Sequence, residues 1–297
     1  MALTFAKIIL TLRLQKNVRS PYIFFNLKNR FDSAFRRSID CGRSSCSGCR
    51  NGEDCLYDRI LSQSLAVDPA ALKRYQKPSF PFVFHFPIIH PSSNRGTSFE
   101  LEMVLIGPAA EHYRHFIEAF SAACVDFAVP VKAESVDYQG NRYLLMEHRG
   151  EMHQDHLFLF SAEEISRSRQ VSECVLVRFI TPLLLLRQGH PLHELSFSTF
   201  IRALFRRVSS LVYYYGGDEM DCDFKLLAER SCLVATLESN LAWAEWEDGP
   251  AAWRLGGIIG RVVFSGGLDS FYPFLLLGQY FNLGKSASFG HGQYLLD

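Results

Sequence analysis

The chain has 297 residues, of which 48% are hydrophobic and 21% charged, so it can bury a substantial core and is not a disordered chain. Lysine plus arginine equals aspartate plus glutamate at 31 residues each. Net charge therefore gives no argument for a polyanionic partner, and only local patches can supply one. The sequence contains no run of about 18 apolar residues, so we expect no membrane-spanning segment.

The beginning of the chain is predicted to be a strand. Apolar residues occupy every second position from Ile8 to Leu14, which is the period of a half-buried strand. The same stretch lacks the basic leader and small-residue cleavage site of a secretory signal, so we expect a cytoplasmic protein. In that reducing compartment we expect the four cysteines scattered outside the Cys-rich stretch to be buried free thiols. They are Cys124, Cys174, Cys222 and Cys232.

The remaining elements of the first half follow in a regular order. A helix is predicted after Pro21, because apolar residues recur at helical spacing from Phe24 to Phe35. Pro87 limits the next strand to the edge or end of a sheet. The elements predicted after the helix are strands at 80–89 and 97–107, a helix at 109–124 and a strand at 131–139.

The second half repeats this order. Its predicted elements are a strand at 174–186, a helix at 195–217, two strands between 224 and 264, a helix at 268–284 and a strand at 288–297. Each half is then β-α-β-β-α-β, the order of a ferredoxin-like unit. We therefore predict an α+β chain of two tandem ferredoxin-like domains with antiparallel sheets. Their expected bounds are 1–150, with a Cys-rich excursion at 40–56, and 170–297.

The loop before the last strand is a candidate phosphate-binding site. Glycine lets backbone N–H groups approach a ligand closely, and successive exposed N–H groups form an anion-binding concavity. Lysine adds a positive charge, as at phosphate sites generally. The loop residues assigned to this role are Gly284, Lys285, Gly290, His291 and Gly292. The alternative is a simple turn between a helix and the last strand.

Two arginines of the predicted helix at 195–217 form a second candidate site. Arg202 and Arg206 are four residues apart and share one helix face. Such a guanidinium pair suits phosphate groups, and Arg207 lies beside it. A solvated charged helix face is an equally good interpretation of the pair alone.

A cysteine-rich stretch is a candidate structural zinc site. Its cysteines, with spacing C-x4-C-x2-C-x5-C, are Cys41, Cys46, Cys49 and Cys55. Four thiolates can enclose one tetrahedral Zn²⁺, and in a cytoplasmic chain a metal is favoured over disulfides. No open ligand position is indicated, so the metal is expected to be structural. An iron–sulfur cluster and plain thiols stay open as alternatives.

The histidines show no catalytic spacing. We expect most of them to be surface or hydrogen-bonded structural residues, including His112 and His115, which lie three apart on a predicted helix. The sequence also lacks a Walker loop, an H-E-x-x-H motif and a G-x-S-x-G motif.

Taken together, several stretches resemble the CRISPR repeat-RNA (pre-crRNA) processing endoribonucleases of the RAMP superfamily. The stretches that carry the likeness are "NLGKSASFGHGQY", "LVRFITPLLL", "FSTFIRALFRRVSSLVYYYG", "PFVFHFP" and "ELEMVLIGPAAEHYRHFIEAF", with the cysteine cluster followed by Leu56 and Tyr57. The first resembles the family's glycine-rich signature, although Asn282 replaces one glycine. The second resembles the family's strand that ends in Thr-Pro-Leu.

The resemblance implies a tandem ferredoxin-like, RRM-like RAMP fold and binding of CRISPR repeat RNA. It implies a role in CRISPR antiviral defence, without a membrane or DNA partner. It also implies metal-independent cleavage without a catalytic cofactor, in which the ribose 2′-OH attacks the adjacent phosphate. The products are then a 2′,3′-cyclic phosphate and a 5′-OH. This chemistry needs a base, an acid and cations on the phosphorane.

The sequence departs from the family at the expected catalytic position. Family members often carry a histidine on or near the first helix, but the first histidine here is His85. Some relatives use Lys, Arg and Tyr instead. On that basis Tyr22 is assigned to proton transfer, and Lys28 and Arg36 are assigned to phosphorane stabilisation.

Two other functions stay open. A non-catalytic RAMP subunit would hold RNA within a larger CRISPR effector complex, with other effector subunits as partners. A zinc-stabilised interaction module would have no RNA role, and the neutral net charge is compatible with it.

Overall fold

A computed structural model describes residues 2–43, 46, 49, 55–63, 78–147, 156–167, 172–217, 219–248 and 253–297. The chain divides into two compact units. The N-terminal unit is Phe5–Phe160, and the C-terminal unit is Ser161–Asp297 together with Met1–Thr4. Most of the predicted excursion at 40–56 lies outside the described residues.

The N-terminal unit combines strands with two main helices. Its strands are β1 (Thr4–Leu14), β2 (Phe82–His85), β3 (Ser98–Ile106), β4 (Ala128–Val136), β5 (Arg142–Met146) and β6 (Leu159–Ser161), the last at the boundary between the units. Its helices are α1 (Lys28–Ser38), α2 (Pro108–Glu111) and α3 (Tyr113–Cys124), with a 3₁₀ turn at Ile23–Asn26 and a π-helical turn at Asp58–Ser62. The strand order is β2-β3-β1-β4-β5, and β6 pairs with β1. With β1, β2, β3 and β4 as the four strands of the motif, this is the ferredoxin-like order.

Alternation along the strands explains which sheet face is buried. Leu10 lies opposite Leu101 of β3 and Ala133 of β4, and all three side chains are buried. Phenylalanines of α1 and α3 cover this face, with Phe31 and Phe116 at 6.0 Å between ring centroids. The apolar stripe of each helix therefore meets the apolar side of the sheet and forms the core.

The C-terminal unit has the same arrangement. Its strands are β7 (Cys174–Leu183), β8 (Leu186–Arg187), β9 (His190–Pro191), β10 (Ala235–Asp248), β11 (Trp253–Ser265) and β12 (Tyr294–Leu296). Its helices are α4 (Ala162–Arg167), α5 (Phe197–Gly216), α6 (Phe224–Arg230) and α7 (Tyr272–Phe281), with 3₁₀ turns at Ser231–Leu233 and Asp269–Phe271. The main sheet has the order β10-β11-β7-β12, and β8 and β9 form a separate hairpin. The predicted tandem ferredoxin-like fold is therefore confirmed.

Local signals place several boundaries correctly. Ser196 caps α5 by accepting a hydrogen bond from Thr199 N, and Gly217 ends it with φ +78°. Pro273 lies in the first turn of α7, where its missing N–H costs little. β2, which precedes Pro87, is an edge strand as predicted.

Other details differ from the sequence prediction. The helix expected at 109–124 is interrupted at His112, which separates α2 from α3. The region 224–264, predicted to hold two strands, also begins with a helix that the sequence analysis does not predict: Phe224–Arg230 form α6, because Asp223 accepts hydrogen bonds from Lys225 N and Leu226 N.

The scattered cysteines are less uniform than expected. Cys124 is buried, Cys222 is half-buried, and Cys174 and Cys232 are exposed. The expectation that all four are buried is therefore wrong, because Cys174 is the exposed first residue of β7 and Cys232 lies on the exposed side of the 3₁₀ turn at Ser231–Leu233. None of the helices in the described part of the chain has the length and apolar character needed to cross a membrane.

Candidate functional site

Arg36 of α1 is bonded within the N-terminal unit. Its guanidinium lies over the Tyr57 ring at 3.6 Å, forms an ion pair with Asp32 at 3.6 Å, and donates to Arg43 O at 3.3 Å. It also contacts Cys46 Sγ at 3.7 Å. Burial opposes the charge, but the bonds to Cys46 and Tyr57 outweigh it and raise the pKa of Arg36. Arg36 therefore joins α1 to the cysteine-containing stretch rather than standing open to a ligand.

Tyr57 completes this cluster. Its hydroxyl donates to Asp32 Oδ1 at 2.6 Å. Burial and this hydrogen bond raise the pKa of Tyr57 to about 12, so the phenol stays protonated at neutral pH.

Lys28 and Tyr22 lie at the opposite end of α1. Lys28 is the exposed first residue of the helix, and its Nζ lies 6.0 Å from the centre of the Phe80 ring. Tyr22 is half-buried, and its backbone N–H donates to Ser20 Oγ at 3.2 Å. Eight residues of helix place the backbones of Lys28 and Arg36 about 12 Å apart. The structure therefore does not bring the two predicted phosphorane ligands together.

Two histidines that the sequence analysis set aside come together at the start of α3. The rings of His112 and His115 have centroids 6.3 Å apart, and the His115 ring lies 6.5 Å from that of Phe35 on α1. Burial, followed by the charges of His115 and Arg59, lowers the pKa of His112. The sequence signal that could have identified this pair is the three-residue spacing, which places both imidazoles on one side of the N-terminus of α3.

The orientation of His115 is set by the protein around it. Its Nδ1 is buried, makes no hydrogen bond to the described residues, and lies 3.9 Å from Glu118 Oε2. About a third of the His115 side chain is exposed. This ring can exchange a proton with a ligand through Nε2.

The four clustered cysteines all belong to the described residues. Cys49 N donates to Cys46 O at 3.0 Å. Cys41 Sγ lies 4.0 Å from Arg43 O, and Cys55 begins the helical turn that contains Tyr57. Among the described residues, no three His, Cys, Asp or Glu side chains gather into a group able to hold a metal ion. Zinc binding by the four cysteines stays a prediction.

The glycine loop, residues 282–292, packs against the end of β7. Lys285 N donates to Leu184 O at 2.9 Å, and Gly292 N donates to Pro182 O at 3.1 Å. Gly290 N donates within the loop to Ala287 O at 3.3 Å. These N–H groups are thus used internally, which corrects the expectation that they form an open anion cradle.

Close packing explains the glycines of this loop. A Cβ at Gly292, which has φ +63°, would overlap the carbonyl oxygen of Leu283, and one at Gly284 would lie 2.7 Å from Leu184 O. Gly290 and His291 are buried, and burial lowers the pKa of His291 to about 4. Of the five loop residues assigned to RNA, Lys285 combines an exposed position with a positive side chain.

The arginines of α5 have different surroundings. Arg202 is exposed and donates to Ala228 O at 2.9 Å, at the end of α6. Arg206 is exposed, and partial burial together with the charge of Arg202 lowers its pKa. The structure therefore keeps this predicted pair on one surface.

Arg207 supports the glycine loop. Its guanidinium donates to Phe281 O at 3.2 Å and to Ser288 Oγ at 3.1 Å. Burial lowers the pKa of Arg207 to about 10, although the group stays charged at neutral pH. The sequence placed Arg207 beside a phosphate-binding pair, whereas the structure shows it bonding to the loop from within.

Comparisons with known proteins agree with this architecture. Residues 177–294 match the family model described as CRISPR-associated endoribonuclease Cas6, and residues 3–127 match a model described as an N-terminal domain. None of the curated proteins compared with the sequence matches it.

Solved structures share the fold at low sequence identity. Cas6 of Thermus thermophilus is 12% identical with a TM-score of 0.58, and the match covers 100% of both chains. A Cas6 product complex is 13% identical with a TM-score of 0.57, over 99% of this chain and 100% of that one. A chain of a partial Cas6-RT-Cas1–Cas2 complex is 12% identical with a TM-score of 0.58, over 99% of this chain. The present chain spans only 46% of that longer chain. The family match over residues 177–294 agrees with the resemblance found in the sequence: this part of the chain is similar to the CRISPR-associated endoribonuclease Cas6 family, and the whole chain shares the fold of the solved Cas6 structures.

Proposed function

We propose that this protein binds CRISPR repeat RNA in the cytoplasm and cleaves pre-crRNA without a metal ion. The ribose 2′-oxygen attacks the adjacent phosphorus, the bond from phosphorus to the 5′-oxygen breaks, and a 2′,3′-cyclic phosphate and a 5′-OH result. The family match and the fold shared with Cas6 structures support the substrate class. The mechanism is supported by the side chains at the start of α3.

The observation that carries the proposal is the pair of imidazoles, His112 and His115, beside Arg59. Their ring centroids are 6.3 Å apart, so the two imidazoles could contact the same phosphate group. Arg59 is close enough to lower the pKa of His112, so it can also stabilise charge on a phosphorane. The N-terminus of α3, which starts at Tyr113, adds partial positive charge at the same place.

Each histidine receives a role from its surroundings. The lowered pKa of His112 keeps this imidazole neutral at pH 7, so it can accept the proton of the 2′-OH. His115, whose side chain is about one third exposed, delivers the proton to the leaving 5′-oxygen through Nε2. Proton transfers of this kind contribute roughly 10²- to 10⁴-fold to a rate.

The first-helix residues keep supporting roles in this proposal. Lys28 is exposed and can contact RNA phosphate, with Tyr22 close by in sequence. Arg36 positions the Tyr57 segment, which leads directly into Arg59, instead of touching the phosphorane.

Cleavage of a labelled repeat RNA in EDTA tests the proposal. The wild-type protein should give one cut with a cyclic phosphate end, and a 2′-deoxy substitution at the cut should block it. His112→Ala and His115→Ala should each slow cleavage roughly 10²- to 10⁴-fold while RNA binding persists. His90→Ala is the matched control, because His90 is an exposed histidine of the same unit that contacts Ser92 Oγ at 2.7 Å.

Parallel variants decide between the two sets of residues. If Tyr22→Phe and Lys28→Ala abolish cleavage while both histidine variants retain full activity, the histidine assignment is wrong and the first-helix assignment stands. If cleavage requires a divalent metal ion, the metal-independent mechanism fails for either set.

A non-catalytic RNA-binding subunit is the second candidate. The contacts of Arg36 favour it. The guanidinium that was predicted to stabilise the phosphorane is held by Tyr57 and Asp32 within the protein. The matched chain of the Cas6-RT-Cas1–Cas2 complex makes other CRISPR proteins reasonable partners for either function. In the same assay, RNA that is shifted but stays intact would support this candidate, and loss of all RNA affinity would favour the interaction module.

We also propose that the four clustered cysteines hold one structural zinc ion. The hydrogen bond from Cys49 N to Cys46 O supports this, because it holds the backbones of two of the cysteines close together. Elemental analysis of the purified protein should find about one equivalent of zinc, and Cys46→Ser with Cys49→Ser should remove it. A protein that is folded and zinc-free after purification without chelators would contradict the proposal.

A further inference from the structure

An exposed aromatic stack lies in the C-terminal unit, next to the end of β7. The rings of His193 and Trp243 have centroids 4.2 Å apart with an interplanar angle of 39°. His193 is exposed, and Trp243 is half-buried. The sequence analysis assigned neither residue to a function.

The stack is supported from the sheet side. A Cβ at Gly256 would lie 2.8 Å from Cζ2 of Trp243, so the indole rests against β11 at a position where a side chain has no room. Trp243 Nε1 also faces Glu245 Oε1 at 3.4 Å. The indole is thereby held between β11 and His193, and His193 presents its exposed side to solvent.

The hairpin that carries His193 is well defined. Gln188 and Gly189 both have positive φ, 52° and 83°, which is the conformation of a tight two-residue β-turn. Leu192 N donates to Leu185 O at 2.9 Å and brings His193 beside the end of β7. An exposed imidazole on such a rigid support loses little freedom when a ligand stacks on it.

Two exposed positive residues lie on backbone segments that neighbour the one carrying His193. Lys285 N donates a hydrogen bond to Leu184 O, so the backbone of the exposed Lys285 lies beside the segment 184–185, to which Leu192 is also bonded. Arg187 is exposed on the hairpin and pairs with His190. The exposed carboxylates of Glu194 and Glu245 are also near, and Glu245 faces the indole N–H. Cations beside an aromatic surface are the usual composition of sites for unpaired nucleotides.

We propose that His193, backed by Trp243, forms a stacking platform for one unpaired base of the RNA, with Lys285 and Arg187 facing the adjacent phosphates. The ligand is therefore a single-stranded segment of RNA rather than a base-paired stem. This inference rests on the proposed RNA-binding function and adds the part of the substrate that the C-terminal unit would contact.

The test uses repeat RNA in which 2-aminopurine replaces one unpaired base at a time. Stacking quenches 2-aminopurine fluorescence, so the full-length wild-type protein should quench one position most strongly. His193→Ala should remove that quenching and weaken affinity roughly 5- to 150-fold, the range expected for loss of one base–aromatic stack. His193→Tyr should restore both, because it keeps an aromatic face.

His190→Ala is the matched control, since it removes an exposed histidine of the same hairpin without touching the stack. Equal affinity and equal quenching for His193→Ala and His190→Ala would overturn the inference while leaving RNA cleavage intact. A wild-type protein without RNA affinity would instead overturn the proposed function, and the platform with it.

Discussion

The Thr181 hydroxyl donates a hydrogen bond to Gly290 O at 2.7 Å and accepts one from Gln293 N at 2.9 Å. Thr181 is fully buried, and this pair of bonds joins β7 to the glycine loop. The Thr-Pro-Leu stretch and the Gly-His-Gly stretch, which resemble two separate family signatures, are therefore two sides of one contact. Their shared role is to fix the loop that carries Lys285.

Replacing Thr181 tests this contact. Thr181→Val keeps the shape but removes the hydroxyl partner of the buried Gly290 O and the half-buried Gln293 N, so it should lower the free energy of unfolding by about 1–3 kcal/mol. Thr181→Ser retains the hydroxyl and is the control. Urea unfolding of both variants checks the prediction, and equal stabilities would show that the hydroxyl bonds contribute nothing.

Substitution of a loop glycine should be more damaging. Gly292→Ala combines φ +63° with an overlap between the new Cβ and Leu283 O, so we expect a loss of more than about 3 kcal/mol. Gly266→Ala is the control for positive φ alone, because Gly266 has φ +95° and no atom within 4 Å of a Cβ. It should cost only about 1–2 kcal/mol. Similar melting temperatures for the two variants would refute the packing explanation.

The buried His291 predicts a loss of stability in acid. Its folded-state pKa of about 4 lies below the unfolded value of about 6.5, so the unfolded chain binds more protons between these values. The free energy of unfolding therefore keeps its full value above about pH 6.5 and falls as the pH drops towards about 4. The total loss from this one histidine is roughly 3 kcal/mol. Unfolding free energies measured across that range should show a weaker pH dependence for His291→Asn. An unchanged slope would mean that His291 is not the responsible group.

Removing the side chains of Arg36 and Lys28 should change the stability of the protein by different amounts. Arg36→Ala breaks the contacts with Tyr57 and Asp32, so it should destabilise the protein by about 1–3 kcal/mol. Lys28→Ala should change stability by less than about 0.5 kcal/mol, because Lys28 is exposed. Thermal unfolding measures the stability of both variants. If Arg36→Ala is as stable as the wild type, the contacts of Arg36 are not structural and Arg36 is again a candidate for binding RNA.

The exposed Lys285 should contribute to RNA affinity through phosphate. Lys285→Ala should weaken binding and make the slope of log K against log salt shallower by about 1. Lys225→Ala, an exposed lysine on α6, is the control and should keep the wild-type slope. Filter-binding titrations at several salt concentrations measure the slope, and an unchanged value for Lys285→Ala would remove Lys285 from the interface.

Much of the fold was predictable from local pattern. Alternation from Ile8 to Leu14 and the apolar stripe of α5 identify a strand and a helix directly, because these periods reflect which side chains face a core. The order of the elements then predicts two ferredoxin-like units. The capping signal at Asp223 was also present in the sequence, although α6 was assigned to the strand region.

The functional surface depended on contacts between distant residues. The sequence alone determined the element order, the glycine positions and the absence of an early histidine. Only the tertiary structure decided that His115 meets α1 at Phe35, that Arg36 packs on Tyr57, and that His193 stacks on Trp243. It also decided that Lys285 N and Gly292 N of the glycine loop bond to carbonyl groups at the end of β7 and just after it, while Gly290 N bonds within the loop. The reason is physical: periodicity records which side of an element is buried, whereas a site is made where separate elements pack, and that depends on long-range contacts.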